Sequence, residues 1–442
     1  MADWLKMTAG DLGRGIERGE IDPVALTECY LDAIETHAFR DRIYARLTKP
    51  RALAEATAAQ ARAKAGLRIS PLDGVPISWK DLFDTSGVAT EAGSALLKGR
   101  VPSRDARVLR NATHAGLVCL GKTHMSELAF SGLGYNPVTE SSPCVNDHDA
   151  VAGGSSSGAA ASVAFNLAPA GIGSDTGGSV RLPSAWNDLV GLKTTSGLLS
   201  LEGVVPLIVS FDTVGPLTRS VEDAATLLSV MQPAPLIDLG DSTLAGRRFA
   251  VLKTIALDDL EEAPAKAFED SITRLAKAGA QIEEIEFPEL VEAMALSGAL
   301  YTAEAWGEWG DVIEKAPDLM YSGILDRFRA GGNVSAHDFY KGWQALERIR
   351  GKFADLTKGY DAVLLPSSPI LPPKIEKLAN DDAYFMTRNM ASLRNTRMGN
   401  LLGGCGLTLP TGTPSCGLMM MGKPLQEAAL LRVGKAAEQA LA

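Results

Sequence analysis

No basic tract, no cysteine pair, no long apolar run and no linker can be found in this chain of 442 residues. Lysine and arginine together number 43 against 53 aspartate and glutamate, a net charge of −10. A protein that tracks a phosphate backbone gathers its cations into patches. None are gathered here, so no nucleic-acid partner is expected. Nor is there an acidic tail or an extended block of like charge. The five cysteines, Cys29, Cys119, Cys144, Cys405 and Cys416, are odd in number and far apart. Without CxxC spacing they suggest neither a zinc site nor a redox pair, and several lie in apolar runs where a buried free thiol is the usual state. Only five histidines occur, and no histidine–carboxylate group has metal spacing. The expectation is an enzyme without metal or cofactor. No stretch approaches the ~20 apolar residues of a membrane span. The opening MADWLKMTAGDLGRGIERGE has no apolar signal core. A cytoplasmic protein with no membrane partner is expected.

What is present reads as globular: 46% hydrophobic and 22% charged residues, with 44 glycines for tight turns and close packing. Helical spacing predicts helices over Pro23–His37, Ala52–Ala65, Ala106–Ala115, Tyr301–Lys315, Ala336–Leu356 and Leu425–Leu441. Short apolar runs predict buried strands at Gly116–Gly121, Phe249–Lys253, Ala362–Pro366 and Gly406–Pro410. Strand 249–253, a helix over 265–278 and strand 281–287 form a β-α-β pattern. Such alternation gives an α/β class with the sheet covered by helices on both faces. One large domain over 1–442 is expected, with residues 1–65 as a helical N-terminal portion.

Residues 151–197 are the unusual segment. Two Gly-Gly-Ser turns, Gly153-Gly154-Ser155 and Gly177-Gly178-Ser179, flank a predicted helix (157–165) and a small-residue strand (169–173). A single Gly-Gly-Ser is most simply loop filler. Two of them bracketing a helix and strand suit a hydroxyl presented beside free backbone amides. A nucleophilic serine needs a base, and no histidine stands in a triad context. Lys80, in the apolar run Gly-Val-Pro-Ile-Ser-Trp-Lys-Asp-Leu-Phe, is the alternative, since burial lowers a lysine pKa. By itself, Lys80 reads more simply as a strand-edge lysine with a solvated head.

Together these blocks resemble the amidase signature family: GVPxxxKD at 74–81, GGSS-G at 153–158, DTGGSxRxP at 175–183, VGLKxTxG at 190–197 and SxDTVGPxxRSVEDAA at 210–225. The signature core spans 70–225. The resemblance implies a mixed, twisted central sheet and a catalytic set of Lys80, Ser155 and Ser179. Ser179 would attack the amide carbonyl, and Ser155, after a cis peptide bond, would relay the proton to neutral Lys80. The amides of Thr176, Gly177, Gly178 and Ser179 would form the oxyanion hole. Asp175 and Arg181 would support the loop, while Ser131 and Gly132 would line the acyl pocket. The chain departs from the family at Trp186-Asn187-Asp188 and at Ser157, where glycine is common. A homodimer is the association implied by the family, although no stripe in the sequence marks its surface.

Two other motifs invite different readings. Residues 116–123 match G-x4-G-K-[ST], yet the four intervening residues are an apolar strand and not an open phosphate loop. Residues 154–158 match the G-x-S-x-G elbow with Ser156 central, but polar loop precedes them and His337 is the only later histidine. The leading function is hydrolysis of a small-molecule carboxamide. One alternative is the glutaminase subunit of a tRNA-dependent amidotransferase. The other is a non-catalytic binding module on the same fold. An acidic residue that would grip glutamine's amino group has no counterpart in 386–402. Arg394 and Arg397 there suit an anionic substrate instead.

Overall fold

The computed structural model describes residues 3–240 and 242–442. Its strands are β1 (Tyr44–Leu47), β2 (Pro76–Lys80), β3 (Val118–Thr123), β4 (Pro143–Cys144), β5 (Asp147–Val151), β6 (Ala170–Ser174), β7 (Val190–Lys193), β8 (Val214–Thr218), β9 (Arg248–Leu252), β10 (Gln281–Ile285), β11 (Ala362–Pro366), β12 (Gly406–Pro410) and β13 (Gly417–Met421). Eleven of them form one mixed sheet in the order β1-β3-β2-β6-β8-β7-β12-β13-β11-β9-β10, and β4 and β5 make a separate hairpin. The parallel pairs β2–β3 and β2–β6 on one side and β11–β9 and β9–β10 on the other flank a run of antiparallel pairs from β6 to β11. One connected hydrophobic core runs from Ala9 to Leu441, so the sheet and its flanking helices form a single α/β domain. Among the described residues, no helix is long and apolar enough to cross a membrane.

Strands with the simplest sequence signal fall where the pattern places them. Ala362–Pro366 and Gly406–Pro410 are strands over those same residues. The β-α-β unit is β9, a helix over Glu262–Lys277, and β10, with β9 and β10 parallel. Three differences are informative. The strand expected at 116–121 sits at 118–123, which carries Lys122 and Thr123 into the sheet interior. Lys122 Nζ donates to Phe83 O at 2.6 Å and Thr90 Oγ1 at 2.9 Å, so no lysine is left to meet a phosphate. The helix expected from Tyr301 begins at Glu289, immediately after Pro288, and runs to Ile313. Within the segment expected to be helical, residues 44–47 form the edge strand β1, antiparallel to β3.

β7, β8 and β13 escape a sequence reading because each is short and rich in Gly, Pro or Met. β8 holds Pro216 yet lies inside the sheet. Its ladder to β7 reaches only Leu217 and Thr218, so Pro216, with no N–H to give, lies beyond that ladder. β6 (AGIGS) is built of small residues because the helix Ser157–Ala164 lies directly on it. A Cβ at Gly173 would come within 2.5 Å of Ser156 Oγ. That close approach sets the first Gly-Gly-Ser turn over the end of β6.

Candidate active site

Lys80 is the last residue of β2, between parallel β3 and β6, and is 0% exposed. Its Nζ donates to Ser155 Oγ at 2.7 Å and to Ser174 Oγ at 2.8 Å. Burial pushes its pKa down to about 7, against the opposing pull of Asp212 and Asp175. A lysine in that range is neutral in a large fraction of molecules near pH 7. The next residue, Asp81, is an anchor: it accepts from Arg46 Nη1 at 2.6 Å and stands 3.4 Å from Lys122.

Ser155 follows a cis peptide bond from Gly154. Gly154 N–H donates to Gly132 O at 2.7 Å and Ser126 N–H to Ser155 O at 3.1 Å, so the turn is held from the 126–132 loop. Ser156, the centre of the elbow-like motif, is fully buried, donating to Ser174 O and accepting from Ser174 N–H. It is no exposed nucleophile.

The second turn lies beside the first. Ser156 N–H donates to Ser179 O at 3.3 Å. Among the described residues, no hydrogen bond joins the Ser155 and Ser179 hydroxyls, so the two turns meet through backbone. Ser179 is 4% exposed and lines a narrow crevice shared with Ser131, Thr176 and Gly177. The amides of Thr176, Gly177 and Ser179 donate to no group among the described residues. Gly178 differs from its expected place among the oxyanion donors, because its N–H donates to Asp175 Oδ1 at 2.9 Å. It has φ +136°, and a Cβ there would fall 2.0 Å from Thr396 Oγ1. Gly178→Ala is therefore expected to cost about 1–3 kcal/mol. An unchanged urea midpoint for that variant would contradict the close approach.

Asp175 and Arg181, both 0% exposed, form a two-pronged pair: Nε to Oδ2 at 3.0 Å and Nη2 to Oδ1 at 2.9 Å. Burial works to raise the Asp175 carboxyl, and the Arg181 guanidinium outweighs it, holding it well below the usual carboxylate range. Ser131 Oγ and Gly132 N–H both donate to Asn389 Oδ1, at 3.1 and 2.9 Å. Ser131 lines the crevice; Gly132 acts through its backbone, tying Asn389 to the Ser155 turn. Asn187, one of the departures, is directed elsewhere, bonding Ala152 O and Val145 N–H around the β4–β5 hairpin.

The C-terminal half supplies holders that the sequence reading missed. Tyr301 OH donates to Thr176 O at 3.0 Å, Thr396 Oγ1 to Gly177 O at 2.9 Å and Asn400 Nδ2 to Asp175 Oδ1 at 2.9 Å. None carries a motif; only their arrival on the helices Glu289–Ile313 and Arg394–Leu401 places them. The two arginines singled out there part company. Arg397 enters the crevice, and Arg394 turns away to donate to Asp258 O. The arginine that joins Arg397 is Arg327, from the helix Ser322–Ala330.

Fold and site define a class: a hydrolase acting on amide bonds, as its relatives confirm. A family model described as Amidase matches residues 25–431, and the chain belongs to that amidase family. It is 33% identical over 435 residues to 2-amino-5-chloromuconic acid deaminase of Comamonas testosteroni, covering 95% of this chain and 92% of that protein. It is 30% identical to a glutamyl-tRNA(Gln) amidotransferase subunit from Desulforamulus reducens, covering 99% and 98% of the two chains. Among solved structures, native peptide amidase from Stenotrophomonas maltophilia superposes with a TM-score of 0.84 at 26% identity, over 99% of this chain and 97% of that one.

Proposed function

We propose that the protein hydrolyses a small-molecule carboxamide to a carboxylate and ammonia or an amine through an acyl-enzyme on Ser179. The observation that carries the reading is the buried Lys80–Ser155 bond of 2.7 Å beside a turn with unpartnered amides. In this mechanism Ser179 Oγ attacks the carbonyl carbon and passes its proton to Ser155 Oγ. Ser155 in turn gives its own proton to neutral Lys80. The carbonyl oxygen, now negative, accepts hydrogen bonds from the amides of Thr176, Gly177 and Ser179. One such donor is typically worth ~2.7–4 kcal/mol in the transition state. Gly178 contributes by geometry, its own N–H being committed to Asp175. Collapse breaks the C–N bond, and the leaving nitrogen takes the proton back through Ser155. Water then attacks the acyl carbon and gives a proton through Ser155 to Lys80. Collapse breaks the bond between the acyl carbon and Ser179 Oγ, the proton returns to Ser179 Oγ, and the carboxylate leaves.

The amidotransferase relative supports a second reading, in which the chain releases ammonia from glutamine for a partner. Against it, the segment 386–402 offers no acidic residue, and the crevice is lined by arginines. Co-elution with amidotransferase partners in gel filtration would favour that reading over the first.

Treatment with a fluorophosphonate probe and peptide mass mapping tests the nucleophile. The adduct is expected on Ser179 and absent in Ser179→Ala. An adduct on Ser156 would instead support an elbow serine, and no adduct on the wild-type protein would overturn the Ser179 mechanism.

A further inference from the structure

The crevice beside Ser179 contains an electrostatic imbalance. Arg327 and Arg397 both line it, and among the described residues no aspartate or glutamate does. Arg397 is 5% exposed, and among the described residues its guanidinium has no carboxylate within 4.0 Å and no hydrogen bond. Arg327 packs its guanidinium 4.4 Å over the Phe130 ring, and its Nη1 is buried without a hydrogen-bond partner among the described residues.

Arginines with a structural task look different in this same protein. Arg181 is met by Asp175, Asn400 and Met419. Arg219 donates to a ring of carbonyls that includes Leu5, Val163 and Ala168. A buried guanidinium nitrogen left unsatisfied is costly, and Arg327 Nη1 is one, in the crevice that it shares with the buried Arg397. Burial and then the repulsion of Arg397 push the Arg327 pKa down to about 9. Burial likewise lowers that of Arg397, with Tyr301 opposing. What relieves both is an anion seated between them, and a carboxylate presents two oxygens that match planar guanidinium forks.

We infer that Arg327 and Arg397 form a carboxylate-binding site, so that the amide cleaved at Ser179 also carries a carboxylate group. This names the substrate class of the site and rests on the amide-hydrolysis reading above. Arg394, which faces away, has no part in it. The relative named for an acid, 2-amino-5-chloromuconic acid, is in keeping with such a substrate.

Matched pairs that differ in the carboxylate test the inference: succinamate against butyramide, and phthalamate against benzamide. The wild-type protein is expected to favour the acid member by about a hundredfold or more in kcat/KM, because unpaired buried donors reject the neutral analogue. Arg397→Gln and Arg327→Gln are expected to lose most of that preference through KM. Arg397→Lys, which keeps the charge, retains part of it, and Arg394→Gln leaves it unchanged. Calorimetric titration of both pairs into Ser179→Ala protein reads binding without turnover. There the acid members bind at least about tenfold more tightly, and Arg397→Gln removes the difference. Equal affinity for acid and neutral members in the wild-type crevice, or a preference indifferent to both arginines, overturns the inference. Failures of the two readings separate on the wild-type protein. Labelling at Ser179 without a carboxylate preference overturns only the anion site. Carboxylate preference without labelling at Ser179 overturns only the nucleophile.

Discussion

Amide hydrolysis is expected to rise about tenfold per pH unit below pH 7 and to level off above it, following Lys80. The sign comes from burial. Lys80 is 0% exposed, and desolvation lowers its pKa from 10.5 to about 7. Below that value the amine holds its proton and cannot take another from Ser155, so the relay stalls; above it the lone pair is free. The free-enzyme profile, kcat/KM against pH, is the measurement. Lys80→Ala is expected to lower kcat by about a thousandfold or more, as loss of one member of a proton relay does. Lys80→Arg separates base from charge: a guanidinium stays protonated at any working pH, so it too is inactive. An active Lys80→Arg enzyme would mean that the cation serves electrostatics and the base lies elsewhere. A stability signature is linked to the same shift. Between about 7 and 10.5 the unfolded chain holds a proton on Lys80 that the folded chain does not, so this group makes stability rise with pH in that window. Lys80→Met should flatten that rise.

The second large effect is on the fold. Asp175→Ala is expected to cost about 3–5 kcal/mol, the usual penalty for stranding one member of a buried ion pair. Asp175 Oδ1 accepts from Arg181 Nη2, Gly178 N–H and Asn400 Nδ2, and Oδ2 from Arg181 Nε and Val180 N–H. Its removal leaves the Arg181 guanidinium without its counter-charge and the amides of Gly178, Val180 and Asn400 without that partner in the interior. Removing both charges, as in Asp175→Ala with Arg181→Met, is expected to cost less than the sum of the single changes, because no uncompensated charge remains. Urea unfolding of the three variants checks this. A midpoint for Asp175→Ala equal to that of the wild type would show the pair to be dispensable.

Lys80, Ser155 and Ser179 can be singled out in the linear chain from a local pattern of glycines, small residues and a lone cation, and the family resemblance adds Asp175 and Arg181. The turn geometry that follows is local as well. The resemblance places the Gly178 amide among the oxyanion donors. A motif shows that a backbone N–H exists but not which way it points, and here Asp175, three residues earlier, takes it. Ser156 can be set aside in the sequence only on its flanking residues; its burial under β6 gives the physical ground.

The sequence by itself determined the α/β class, the strands whose apolar runs are self-sufficient, and the place of the two Gly-Gly-Ser turns. Those depend on periodicity and on residues within a few positions of one another. Only the tertiary structure decided that β7, β8 and β13 are strands, since Gly191, Pro216 and Met420 join a sheet only through partners far along the chain. It alone chose Arg397 over Arg394 and brought Arg327 to meet it. Residues on two different helices share a crevice by the way those helices pack, and nothing in the spacing of 327 and 397 records that meeting.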